Sequence, residues 1–423
     1  MKVRTDPFLL VAALYLTVGA LAVVGKLAVG VELLEPLPRL RWVMIHLVTI
    51  GGLTQALFGV LPHLVGSLDS SAGRLSPRAR WVQWIALNTG YPLVLFGMTT
   101  GSTLVAVAGA TVVLFALALL LATVYRVSDG SGGQSLGRYY RVAPWFLVVG
   151  ILAAFGMLLG IHGPGGYFGS IEAHVHANVW GFLALVVAAT LLQLVPAMAG
   201  ADLYASRLTR VTFWGLTVGT VGLVSGPWLA EHALTFGGLA IYVVGTVALL
   251  ANVVGTRRAG GCTKDARFGH VLGAYLWLVV PVPVAPFVLL FPSVVPGRVI
   301  EMAAINGLVF GWMLQLAMAF LPVVVTAFEN GDGGLVDVRA AVEASTDTAS
   351  WLDVAGVNLG MVALWATAIP ALSGVAGALE TVGFGLFAVA WVAFVVRLWR
   401  SLVSGDAGTR GQEPTGTGAA TVD

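Results

Sequence analysis

The sequence predicts an all-α membrane protein of twelve transmembrane helices in three pseudo-repeated four-helix sets. Three observations lead there. The 423 residues are 58% hydrophobic and only 10% charged, where a soluble chain carries roughly a quarter charged residues. Apolar stretches of about eighteen or more residues, the length needed to span a bilayer, recur throughout. Three of these stretches also align with one another at equal spacing.

The expected spans run 7–29, 40–65, 81–101, 103–126, 142–161, 174–199, 208–228, 232–255, 269–291, 299–325, 351–373 and 377–399. At 1.5 Å rise per residue each covers a hydrocarbon core of about 30 Å. The basic, apolar start "MKVRTDPFLLVAALYLTVGALAVVG" is signal-like, yet its apolar part is long and lacks a small-x-small cleavage site, so it reads as the first span. All spans belong to one bundle, 1–405, with pseudo-repeats at about 1–130, 131–262 and 263–405. The polar tail 406–423 reads as a disordered cytoplasmic extension. The loop "ENGDGGLVDVRAAVEASTDTAS" is the other sizeable polar piece.

Charge sets the expected orientation. One side holds eighteen Lys and Arg, among them Arg78, Arg80, Arg257, Arg258, Arg267 and Arg397; the other holds Lys26, Arg39, Arg41 and Arg298. Both termini are therefore expected in the cytoplasm of a multi-pass cell-membrane protein. A net charge of +2 is too small to suggest a nucleic-acid partner, and the single Cys262 excludes an internal disulfide framework.

The repeat rests on "IHLVTIGGLTQALFGVLP" (45–62) and "INGLVFGWMLQLAMAFLP" (305–322), which share Gly51/Gly311, Gln55/Gln315 and a terminal Leu-Pro, with Asn306 at the place of His46. In "VHANVWGFLALVVAATLLQLVP", His176 and Gly181 take the places of His46 and Gly51.

Metal chemistry would fall to the histidines. Expected near the outer face are His46, His162, His174, His176 and His232; His63 and His270 lie toward the inner side. Imidazole is a ligand of heme iron and copper, and a polar group inside a span is a functional candidate because hydrocarbon makes it costly. The ordinary alternative is a headgroup contact or helix cap, the preferred reading for His162, His270 and His63. His46 lies six residues into its span and is the stronger candidate. His174 and His176 sit about 200° apart on a helix, so one metal ion does not easily take both. Glu172, four residues before His176, is a candidate to orient it. His232 follows Glu231 at a span start and remains open between ligand and interfacial pair.

The segment "AHVHANVWGFLALVVAATLLQLVPAMAGADLYASRL", together with the twelve-span layout, resembles subunit I of the heme–copper oxidase superfamily, especially short cbb-type-like membrane proteins. It is also similar to the NnrS family, twelve-span proteins associated with heme and copper. The matching positions are Ala173, His174, His176, Asn178, Gly181, Phe182, Pro196 and Gly200. The resemblance implies that His46 is an axial heme ligand and that His176, or else His174, is a copper ligand. It implies heme and copper as cofactors, and as partners membrane lipid, other respiratory subunits or a small copper or cytochrome electron carrier.

The departures are at the catalytic positions. The tenth span offers Asn306 and no histidine, the seventh ends "VSGPWLAEH" with only His232 beyond it, and Trp180 stands where a tyrosine is expected. A degenerate protein in electron transfer, nitric oxide or metal handling, or respiratory complex assembly follows, with His46, His174, His176, Asn178, Asn306 and His232 as site residues. Two alternatives stay open: a cofactor-free transporter or channel on the same fold, and an active oxygen or nitric oxide reductase subunit with an unusual ligand set.

Overall fold

The structure is a computed structural model. It describes residues 6–35, 38–68, 76–128, 136–261, 265–291, 293, 297–329, 341–343, 345 and 348–404. The tail 406–423, Cys262 and much of the 329–350 loop lie outside the described residues.

Among the described residues there are helices and turns but no strand. The first helix starts where Asp6 accepts the Phe8 amide at 2.8 Å and Pro7 takes the first position, where a missing N–H costs nothing. In chain order the long helices are α1 (Pro7–Gly30), α2 (Leu40–Gly66), α3 (Pro77–Thr100), α4 (Thr103–Ser128), α5 (Gly137–Leu159) and α6 (Gly166–Ala199). They continue as α7 (Leu208–Leu229), α8 (His232–Ala259), α9 (Ala266–Val279), α10 (297–329), α11 (Trp351–Ala366) and α12 (Ala376–Ser404). Asp265 caps α9 as Asp6 caps α1, through the Arg267 amide at 2.8 Å. Gly160 and Gly200 close α5 and α6 in the left-handed conformation that favours glycine.

Eight of these are long and apolar enough to cross a membrane: α1, α2, α4, α5, α6, α8, α10 and the stretch Pro370–Val403 that contains α12. The other four each have a local reason to fall short. α9 stops before Pro281 and Pro283, and α11 has 16 residues. α3 carries Arg78, Arg80, Gln83 and Asn88, and α7 is rich in Gly and Thr.

Three helices contain a π-helical stretch, whose wider turn shifts the hydrogen-bond register: Leu47–Thr54 in α2, His176–Leu183 in α6 and Gly307–Met313 in α10. A glycine in each receives an aromatic side chain from the helix packed on it. A Cβ on Gly51 would sit 2.7 Å from Tyr15 Cβ, on Gly181 2.6 Å from Phe146 Cβ, and on Gly311 2.7 Å from Trp277 Cβ. No side chain larger than hydrogen fits at such separations without displacement.

Polar bonds tie the second helix to its neighbour in two matching places. Gln55 donates to Asn88 at 3.2 Å between α2 and α3, and Asn358 donates to Gln315 at 3.0 Å between α11 and α10. Two arginines each meet a buried aspartate, Arg80 with Asp6 and Arg397 with Asp353.

Candidate functional site

His46 stands directly before the π stretch of α2. Its Nδ1 lies 2.8 Å from the Trp42 carbonyl. A carbonyl only accepts, so Nδ1 carries the proton and Nε2 presents a bare lone pair. The Trp42 ring stacks on the imidazole at 3.9 Å and 26°, fixing its plane. The Tyr91 hydroxyl, on α3, donates to the His46 carbonyl at 2.7 Å, holding the backbone where the register changes.

His174 and His176 leave α6 on different sides, as their spacing requires. His174 Nδ1 donates to the Gly150 carbonyl of α5 at 2.8 Å. Asn178, one turn on, brings its amide nitrogen to 3.1 Å from His174 Nδ1 and 3.4 Å from Nε2, so the His174 ring is shared between Gly150 and Asn178. The Asn178 Oδ1 is buried without a partner against Gly150, where any Cβ would strike it.

His176 turns to α7 instead. Its Nδ1 donates to the Leu223 carbonyl at 2.9 Å. That carbonyl is free because Pro227, four residues later, has no N–H to complete the helical bond. The imidazole meets Trp180 edge-on at 5.2 Å, and Trp180 packs on Tyr242 of α8 at 4.8 Å. The expected Glu172 partner is not used: the Nδ1 proton is taken by Leu223, and Glu172 is exposed, within electrostatic reach of Glu301 on α10.

Among the described residues no hydrogen bond or ring contact joins His46, His174 and His176; each is held by its own carbonyl, on Trp42, Gly150 and Leu223. The His46 and His174 rings are both half-buried. Asn306, at the equivalent place on α10, is buried with its Oδ1 unpartnered. His232 is exposed at the first turn of α8, its ring 6.3 Å from that of Phe236.

The remaining histidines are structural, one of them in an unexpected way. His162 is exposed, 3.3 Å from the Ser170 hydroxyl. His63 Nε2 accepts from Arg80 at 2.7 Å, the role of a neutral ring. His270 is not interfacial: it is fully buried, with neither ring nitrogen hydrogen-bonded, and Arg267, three residues before it, folds onto Asp265, the Val342 carbonyl and Ser345.

Sequence reasoning missed Trp42, Gly150 and Leu223, which orient the three imidazoles through backbone carbonyls. Only Leu223 had a readable signal, the proline four residues on.

A metal-ligating histidine usually gives its second ring N–H to a carbonyl or carboxylate, which is the state of all three rings here. Among the described residues no three His, Cys, Asp or Glu side chains gather as a metal ion would need. A three-histidine copper centre therefore does not fit His46, His174, His176 and His232. Heme iron takes one or two axial imidazoles, a demand that a single oriented ring such as His46 meets. No family model matches the chain, and no curated protein does.

Proposed function

We propose that this chain is a heme-binding integral membrane protein of the heme–copper oxidase subunit I type, degenerate in its ligand set. The carrying observation is the common state of His46 and His174, each with Nδ1 2.8 Å from a backbone carbonyl, so that the remaining ring nitrogen is the one a metal would take. These two would hold the heme between α2 and α6. Bound heme supplies one-electron redox chemistry at that place. The chain's own part is orientation: the Trp42 and Gly150 carbonyls set the tautomers, Trp42 sets the ring plane, and Tyr91 anchors the backbone.

Such a protein would serve electron transfer, nitric oxide or metal handling, or assembly of a respiratory complex. Lipid, other respiratory subunits and a small copper or cytochrome carrier at the outer face are the partners this reading requires. A cell-membrane orientation with cytoplasmic termini is supported by the arginines Arg78, Arg80, Arg138, Arg207, Arg257 and Arg397, which sit at one end of the bundle, with Lys26, Arg39 and Arg41 at the other. Twelve spans in three four-helix sets are supported by the three π stretches, the Gly51, Gly181 and Gly311 seats, and the paired Gln–Asn bonds.

The test is the absorption spectrum of purified protein, oxidised and dithionite-reduced, after expression with ample heme. A reducible Soret band is expected, falling at least tenfold in His46→Ala and His174→Ala but not in His176→Ala. Heme-free wild-type protein would sink the proposal. That outcome would favour the second reading, a transporter or channel. Its supporting observation is the polar ladder of Gln315, Asn358 and Trp277, joined at 3.0 and 2.8 Å, across α9, α10 and α11.

A further inference from the structure

A second polar place lies at the opposite end of the bundle, independent of the histidine site. Phe58, Gly59, Pro62, Ser76, Arg80, Gln83 and Thr123 line a cavity of about 10 Å³, taken as the space open to the centre of a water-sized sphere. About one water needs that much.

Two of its walls carry unmet hydrogen-bonding groups of opposite kind. Gln83 is 3% exposed, and its Nε2 has no partner. Pro62 has no N–H for the Phe58 carbonyl one turn earlier, so that acceptor is left over in α2. A buried donor without a partner is costly, so a group that serves both Gln83 Nε2 and the carbonyl that Pro62 cannot bond is favoured there.

Water both donates and accepts, and it fits. An anion fits less well, since the Arg80 charge is already met by Asp6 and a carbonyl oxygen would face the ion. A wholly apolar cavity of this size would stay dry, but these walls are not apolar.

We propose that this cavity binds one water molecule, held between Gln83 Nε2 and the Phe58 carbonyl, that joins α2 and α3 beside the Asp6–Arg80–His63 cluster. It supplies the hydrogen bond that Pro62 removes.

Radiolytic footprinting of the full chain in detergent tests this, because hydroxyl radicals formed from a trapped water oxidise shielded side chains around it. Phe58 should be labelled several-fold faster than Phe387 and Phe394, which are equally buried elsewhere. Gln83→Met, which keeps the length and drops the donor, should bring Phe58 down to their level. The exposed Trp81 should stay unchanged, reporting an intact fold; Gln83→Leu serves if the methionine variant fails that control. Phe58 labelled no faster than Phe387 in the wild type would overturn the proposal, and so would labelling that survives both variants.

Discussion

The π stretches of α2 and α10 share one plan and differ where it bears on chemistry. Each seats an aromatic ring on a glycine, Tyr15 on Gly51 and Trp277 on Gly311, and each helix bonds an asparagine of a neighbour through a glutamine. At the head of the stretch, α2 has His46 with its tautomer fixed, its ring stacked on Trp42 and its carbonyl bonded by Tyr91. α10 has Asn306 with an unpartnered Oδ1, and Trp365 and Met361 are the α11 side chains beside Gly307. The scaffold is present in both regions, and the imidazole machinery in one. The packing of a π stretch and the presence of an imidazole at its head are therefore separable in this fold.

The largest test asks whether the two regions also share their foundations. Arg80 meets Asp6 and Arg397 meets Asp353, with each aspartate side chain at most 5% exposed and each arginine 25% exposed. Removing the cation leaves a buried carboxylate unpaired, a loss of about 3–5 kcal/mol. Arg80→Ala and Arg397→Ala should each lower the unfolding free energy in detergent by about 3 kcal/mol, allowing for the partial exposure of the arginines. Losses that differ by more than about 2 kcal/mol would show that the two ends are not built alike. The exposed Lys26–Glu380 pair, 2.8 Å apart, provides the contrast: Lys26→Ala should cost about 1 kcal/mol or less.

Next come the glycine seats. Gly51→Ala, Gly181→Ala and Gly311→Ala each place a methyl inside the volume of an aromatic side chain, so each should destabilise by about 1–3 kcal/mol. Thermal unfolding of the three variants checks this. A neutral alanine at any one position would remove that stretch from the shared plan.

The glycine positions were legible in the sequence because Gly51, Gly181 and Gly311 align at equal spacing, the first and third with a glutamine and a Leu-Pro; the aromatic rings they receive come from other helices and were not. The helical class was legible for a similar reason, since apolar length is a local property. The orientation of the site was not. Trp42 O is a backbone atom with no residue signature, and Gly150 O and Leu223 O belong to other helices, so their meeting with His174 and His176 depends on how α5 and α7 pack. His270 was misplaced because a histidine near the start of a span reads as interfacial; even the neighbouring Arg267 is only 2% exposed, satisfied by Asp265, Val342 and Ser345.

The smallest test separates the two heads directly. Tyr91→Phe removes one hydroxyl and leaves the His46 carbonyl without that donor. The net loss of such a bond is about 1 kcal/mol, so the unfolding midpoint should fall modestly. Under the heme proposal the variant should also broaden or shift the reduced spectrum, because the backbone carrying His46 loses its tether. Asn306→Ala, which removes an amide with an unpartnered oxygen, should leave the heme content within about twofold of wild type. If Asn306→Ala instead empties the protein of heme while Tyr91→Phe leaves its spectrum untouched, the ligand-bearing head is α10, and the contrast between the two regions must be reversed.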